Sequence, residues 1–106
     1  MSKNSNNVIF TRHEAIADAH ARLRCSGLNI TPRQKSVTFA QINNIGTKVF
    51  DQAKHHSEPE KFYVEELRRI QREGTVEEFT AANMLLEAVL KLIYDKYHQL
   101  KEILGE

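Results

Sequence analysis

Residues 74–104, GTVEEFTAANMLLEAVLKLIYDKYHQLKEIL, carry the longest regular pattern in the chain. Thr75 is followed three residues later by Glu78, and an apolar-periodic run begins at once. This is a capping box, in which the threonine oxygen accepts from the N3 backbone N–H while the N3 carboxylate accepts from the N-cap N–H. The spacing predicts a single helix from about Val76 to Leu104. At ~1.5 Å per residue it would be roughly 43 Å long, whereas a compact chain of this size has a radius of gyration near ~13 Å. One end should overhang unless something covers it. Taking Phe79 as the first a position, Leu86, Ile93 and Leu100 repeat it, while Ala82, Val89, Lys96 and Ile103 occupy d. Leu85, Leu90, Leu92, Tyr97 and Leu104 broaden the stripe beyond a two-stranded seam. The helix is therefore expected to be contacted from at least two sides, as the spine of a bundle or by its own domain and a partner together. Glu87, Lys91, Asp95, His98 and Glu102 form its polar face at i, i+3 and i, i+4 spacing.

Upstream, the capping pattern recurs at Thr11/Glu14, Thr31/Gln34 and Ser57/Glu60. A further match at Thr38/Gln41, inside a segment, shows how cheaply it arises. Punctuation supports three of the four starts: Pro32 follows Thr31, Gly27 closes the first segment, and Gly74 directly precedes Thr75. A first helix over about Arg12–Cys25 has a narrow apolar face of Ala15, Ile16, Ala19 and Leu23, with Phe10 placed to staple onto Ala15. Residues 32–54 are ambiguous because Asn43, Asn44 and Gly46 interrupt the helical spacing of Phe39, Ile42, Ile45, Val49 and Ala53. One helix to about Asn43 and a second from about Thr47 is the expectation. A hairpin of Val37–Ile42 with Thr47–Phe50 stays open, since β-branched residues are dense there. Another helix should open at Ser57 and bury Val64, Leu67 and Ile70 with Phe62 or Tyr63. The expected fold is all-α, a small bundle of four to five helices with a long C-terminal helix, assembled as a dimer. Residues 1–10 read as a disordered lead-in, with Val8, Ile9 and Phe10 able to dock on the single domain formed by residues 11–106.

A chain of 106 residues with 41% hydrophobic and 27% charged residues has room for one modest core, burying roughly two-thirds of its unfolded surface. Met1–Asn7 is polar and Asn-rich without an apolar core, so no secretory signal is expected. Uninterrupted apolar runs in the last third stop at three residues, as in Met84–Leu86, and no membrane span is expected. One cysteine, Cys25, cannot close an intrachain disulfide. It reads as a small apolar residue at a helix end and suits a reducing, cytoplasmic location. The near-neutral total hides an asymmetry. Residues 1–56 hold eight Lys/Arg against three Asp/Glu, and residues 57–106 hold seven against eleven. The two halves could pack with complementary fields, or the first could meet an anionic partner.

No catalytic or metal-binding chemistry is legible. Among five histidines only Asp95-x-x-His98 has di-iron-like spacing, and it lies on the polar face beside Lys91 and Lys101. His13 and His20 are two turns apart, and His55-His56 sit at a helix end, where they suit the negative dipole. There is no G-x-S-x-G, phosphate-binding glycine loop or H-E-x-x-H. Neither an enzyme, a cofactor nor a small-molecule substrate is expected.

Nucleic acid is the rival to protein docking. Arg22, Arg24, Arg33 and Lys35 surround the Gly27–Thr31 connection, and the helix starting after Thr31 presents Arg33, Gln34, Lys35 and Ser36 in its first turn. Such a helix start suits phosphate and base-edge contacts. The seven residues Leu28–Gln34 resemble the lead into the first helix of several bacterial winged or helix-turn-helix regulators, which implies DNA binding. Asn43–His56 does not continue that pattern, and no family is assigned. The leading expectation is a small regulatory or adaptor protein of the kind found among antiactivators, client chaperones and phage or plasmid accessory factors. Its interface, with itself or a larger protein, would be Phe79, Leu86, Val89, Leu90, Ile93, Tyr97 and Leu100. The alternative is a DNA-binding regulator using Arg22, Arg24, Arg33, Gln34 and Lys35.

Overall fold

The computed structural model describes residues 8–103, with side chains through residue 99. The elements are α1 (Arg12–Arg24), α2 (Pro32–Ala53), α3 (Pro59–Glu73) and α4 (Val76–Ile103), and the described residues contain no strand. Three capping boxes form. Thr11 Oγ1 accepts from the Glu14 N–H at 3.0 Å, and the Thr11 N–H donates to Glu14 Oε1 at 2.8 Å. The same exchange spans 3.1 and 3.0 Å at Thr31/Gln34 and 3.2 and 2.8 Å at Thr75/Glu78.

The fourth expected box, Ser57/Glu60, does not form. The N-cap of α3 is Glu58, with no side-chain cap, and Glu60 Oε2 accepts instead from the backbone N–H of Ile9 at 2.7 Å. The lead-in brings a backbone donor that competes successfully for this carboxylate, and Pro59 at the first helical position lacks the N–H that would need a cap. Thr31→Ala and Thr75→Ala are each expected to lose about 1 kcal/mol in urea unfolding. Ser57→Ala should stay within about 0.5 kcal/mol, and an equal loss at all three sites would contradict this assignment.

The expected break in the second segment is absent, and so is the hairpin. α2 runs unbroken for 22 residues. Thr38, Ile42, Ile45, Gly46, Val49 and Ala53 face inward at helical spacing, while Asn43 and Asn44 are exposed. Their poor propensity costs only a few tenths of a kcal/mol each at the surface, less than the burial of that apolar face supplies. Gly46 is where another helix comes close: a Cβ there would lie 2.7 Å from Ile16 Cγ1 and 3.4 Å from Leu85 Cδ2.

α4 packs against each of the other three helices, and α2 also packs on α1 and α3. The bundle measures 47 × 25 × 20 Å, and its 14.6 Å radius of gyration exceeds the ~13 Å of a compact chain because α4 sets the long axis. Tyr63 is the inward-facing aromatic of α3, fully buried with Leu67, while Phe62 is half-buried and stacks on His56 with centroids 4.0 Å apart. Phe10 is also core, 1% exposed; residues 1–7 of the expected lead-in lie outside the described residues. Cys25 ends α1 as its C-cap but is exposed rather than packed. Gly27 follows with φ +70°, a left-handed turn that glycine adopts without steric cost. Among the described residues no helix is long and apolar enough to cross a membrane.

Candidate functional site

The interface residues expected on α4 differ in burial. Leu86 and Val89 are 7% and 0% exposed and belong to the protein's own core, so they are not available as docking anchors. Ile93 is half-buried against that core, and the side chain of Leu100 lies outside the described residues. Phe79, Leu90 and Tyr97 remain at the surface, 48%, 44% and 56% exposed, joined by Val76 and Tyr94 at 73% and 63%. At 100° per residue these five share a sector of roughly 60°. The correction has a simple cause. The heptad reading centred the stripe between Phe79 and Ala82, but three helices cover the Ala82, Leu85 and Val89 side and leave the next sector over uncovered.

Val76 and Tyr94 were not singled out from the sequence, although Leu90, Tyr94 and Tyr97 at i, i+4 and i+7 carry the signal. Asn83 lies in the same sector, its Oδ1 accepting from Gln71 Nε2 at 3.3 Å, and divides the face. The N-terminal part is Val76 and Phe79; the C-terminal part is Leu90, Tyr94 and Tyr97. His98 extends the second part, its ring centroid 4.2 Å from that of Tyr94 and 6.3 Å from that of Tyr97. Charges border it: Arg22 reaches Asp18 at 3.2 Å and Glu87 at 3.7 Å, and Lys91 pairs with Asp95 at 2.9 Å. Tyrosines bring large apolar area and a polar tip, the combination enriched at protein interfaces.

Two of the five candidate nucleic-acid residues, Arg22 and Gln34, are engaged within the fold. Arg22 is held by the two carboxylates above. The Gln34 side chain closes the capping box with Thr31, and Lys35 is half-buried. Arg24 and Arg33 alone project freely into solvent. The opposite charges of the two halves are joined by Arg22–Glu87, but Lys96 pairs with Glu14 at 3.0 Å in the reverse sense. Glu14 titrates below its ordinary range because the Thr11 backbone N–H and then Lys96 stabilise its carboxylate.

Elsewhere, a recess of about 240 Å³ lies between α2, α3 and the α3–α4 corner, lined by Lys48, Glu66, Arg69, Glu73 and Glu78 among others. Arg69 is already bridged to Glu66 and Glu73, and that contact lowers the pKa of Glu66. Arg69, Glu66 and Glu73 are thus occupied with one another. His20 lies edge-on to Phe39 with centroids 5.1 Å apart. Among the described residues no three His, Cys, Asp or Glu side chains gather as a metal site would require. Comparison with protein-family models, with curated proteins and with solved structures found no match to this chain.

Proposed function

We propose that this chain is a small adaptor or regulatory protein that acts by protein–protein association, with the outer face of α4 as its docking surface. A second copy of the chain or a larger client would cover Leu90, Tyr94 and Tyr97, with Phe79 and Val76 extending the contact. One observation carries the reading: five large apolar residues stand 44–73% exposed in one sector of one helix, whereas scattered exposed apolar residues would need no explanation. Aromatic anchors ringed by charge are how such faces concentrate binding energy.

The test is absolute mass by light scattering after size exclusion, at low and high salt, for the natural chain and for Leu90→Asp/Tyr94→Asp. A salt-insensitive dimer that the double variant weakens by about 2 kcal/mol or more, with unchanged helical circular dichroism, is the expected result. A dimer indifferent to these changes would place the interface elsewhere. Ile93→Asp is the poorer probe, because Ile93 also packs on the core and its loss would mix folding with assembly.

A further inference from the structure

The N-terminal segment and the end of α2 border an open groove of about 750 Å³ that no other described residue fills. Its floor is apolar. Val8 and Phe50 are half-buried there, with Phe10 beneath them. Phe10 is locked edge-to-face with Phe50 and Tyr63, ring centroids 6.2 and 5.3 Å apart, so the floor is preformed rather than collapsible. The rim is basic. Arg12 and His13 come from the first turn of α1, and Lys54 and His55 follow the last residue of α2. Asp51 is the sole carboxylate of the lining, 3.6 Å from Lys54. Among the described residues the side chains of Arg12, His13 and His55 make no hydrogen bond or ion pair, which leaves their donors available.

An apolar floor beside the unpartnered guanidinium of Arg12 and the ammonium of Lys54, held only by its 3.6 Å contact to Asp51, is complementary to one kind of ligand. We propose that this groove binds an organic anion, a carboxylate or phosphate carried on a flat or acyl apolar body. The head group meets Arg12 and Lys54, with His13 and His55 as further donors, and the body lies over Val8 and Phe50. A preformed apolar recess with a few convergent polar groups is the usual make-up of a small-ligand site, and guanidinium recognises both head groups through charge-assisted hydrogen bonds. The proposal is independent of the α4 face, which lies on other residues.

The full-length chain is titrated with 2-naphthoate and 2-naphthyl phosphate. The neutral 2-naphthalenemethanol and inorganic phosphate serve as comparators, and backbone amide shifts are followed by NMR. Saturable binding is expected for at least one naphthyl anion, at least tenfold tighter than for the alcohol or inorganic phosphate, with shifts centred on residues 8–13 and 50–55. Arg12→Gln/Lys54→Gln, both exposed positions, should lose at least tenfold in affinity with an unchanged unfolding midpoint. Equal binding of the neutral alcohol would reduce the groove to a greasy surface, and equal binding of inorganic phosphate would reduce it to a charge patch. Either result overturns the proposal, as do shifts confined to Leu90–Tyr97 or full affinity in the double variant. The comparison among the four probes needs no variant and stands even if the double variant folds poorly.

Discussion

Tyr63→Ala is expected to lower stability by about 3–5 kcal/mol, a large share of the ~5–15 kcal/mol available to a domain of this size. Tyr63 is fully buried at the meeting point of α3, α2 and the N-terminal segment. Its ring lies edge-to-face with Phe10 and Phe50 at 5.3 and 6.4 Å, and its hydroxyl donates to the Gly46 carbonyl at 3.2 Å. Removing it opens an aromatic-sized void in the core, and also unseats the lead-in through Phe10. Tyr63→Phe separates the two contributions: the packing stays and only the hydrogen bond goes, for about 1 kcal/mol. Burial raises the Tyr63 phenol far above its ordinary value of 10.0. The folded chain therefore holds this proton more tightly than the unfolded one. The resulting stability is complete below pH 10 and declines as pH rises above it. Urea midpoints between pH 8 and 11 should fall with pH in the natural chain and fall less in Tyr63→Phe. Parallel slopes would mean that another group controls the alkaline limb.

Gly46→Leu is expected to cost about 3 kcal/mol, the upper part of the range for overpacked cores, and Gly46→Ala should destabilise despite gaining about 1 kcal/mol of helix propensity. The added Cβ would meet Ile16 Cγ1 at 2.7 Å and Cδ1 at 3.2 Å. The nearer atom is not the free end of a flexible chain, so α1 must shift to admit it. The buried Gly46 carbonyl, which receives the Tyr63 hydroxyl, would move with it. In an Ile16→Ala background the obstruction is gone, and Gly46→Ala should become less costly by about 1 kcal/mol or more. Denaturant unfolding of the four chains in this cycle gives the coupling directly. A Gly46→Ala chain more stable than the natural one would remove the close approach from the account.

These two sites also show where a sequence stops speaking. Gly46 beside Asn43 and Asn44 reads as a helix break, since local propensity is all that a linear reading can weigh. Only the approach of Ile16 and Leu85, 30 and 39 residues away in the chain, turns the same glycine into a helix-packing notch. Ser57/Glu60 fails for a similar reason. The local pattern is intact, but Ile9, 51 residues from Glu60, presents a better-placed donor. The basic-rimmed groove was likewise invisible, because residues 8–13 and 50–55 share no motif and meet only through packing. At the α4 face the signal was present and its phase was ambiguous. Every candidate from Phe79 to Tyr97 is apolar, and deciding which sector stays uncovered requires knowing where α1, α2 and α3 lie.

The sequence by itself determined the all-α class, three of the four helix starts, the α3–α4 corner at Gly74 and the dominance of the last helix. Those properties rest on interactions among residues three or four apart, namely capping boxes, proline at the first turn and apolar spacing of 3.6. Tertiary structure alone decided that α2 is continuous, that Leu86 and Val89 turn inward while Leu90, Tyr94 and Tyr97 turn outward, and that Arg22 and Gln34 are occupied within the fold. Those outcomes depend on which distant surfaces compete for the same side chain, and burial and hydrogen bonding settle that competition only once the helices have packed.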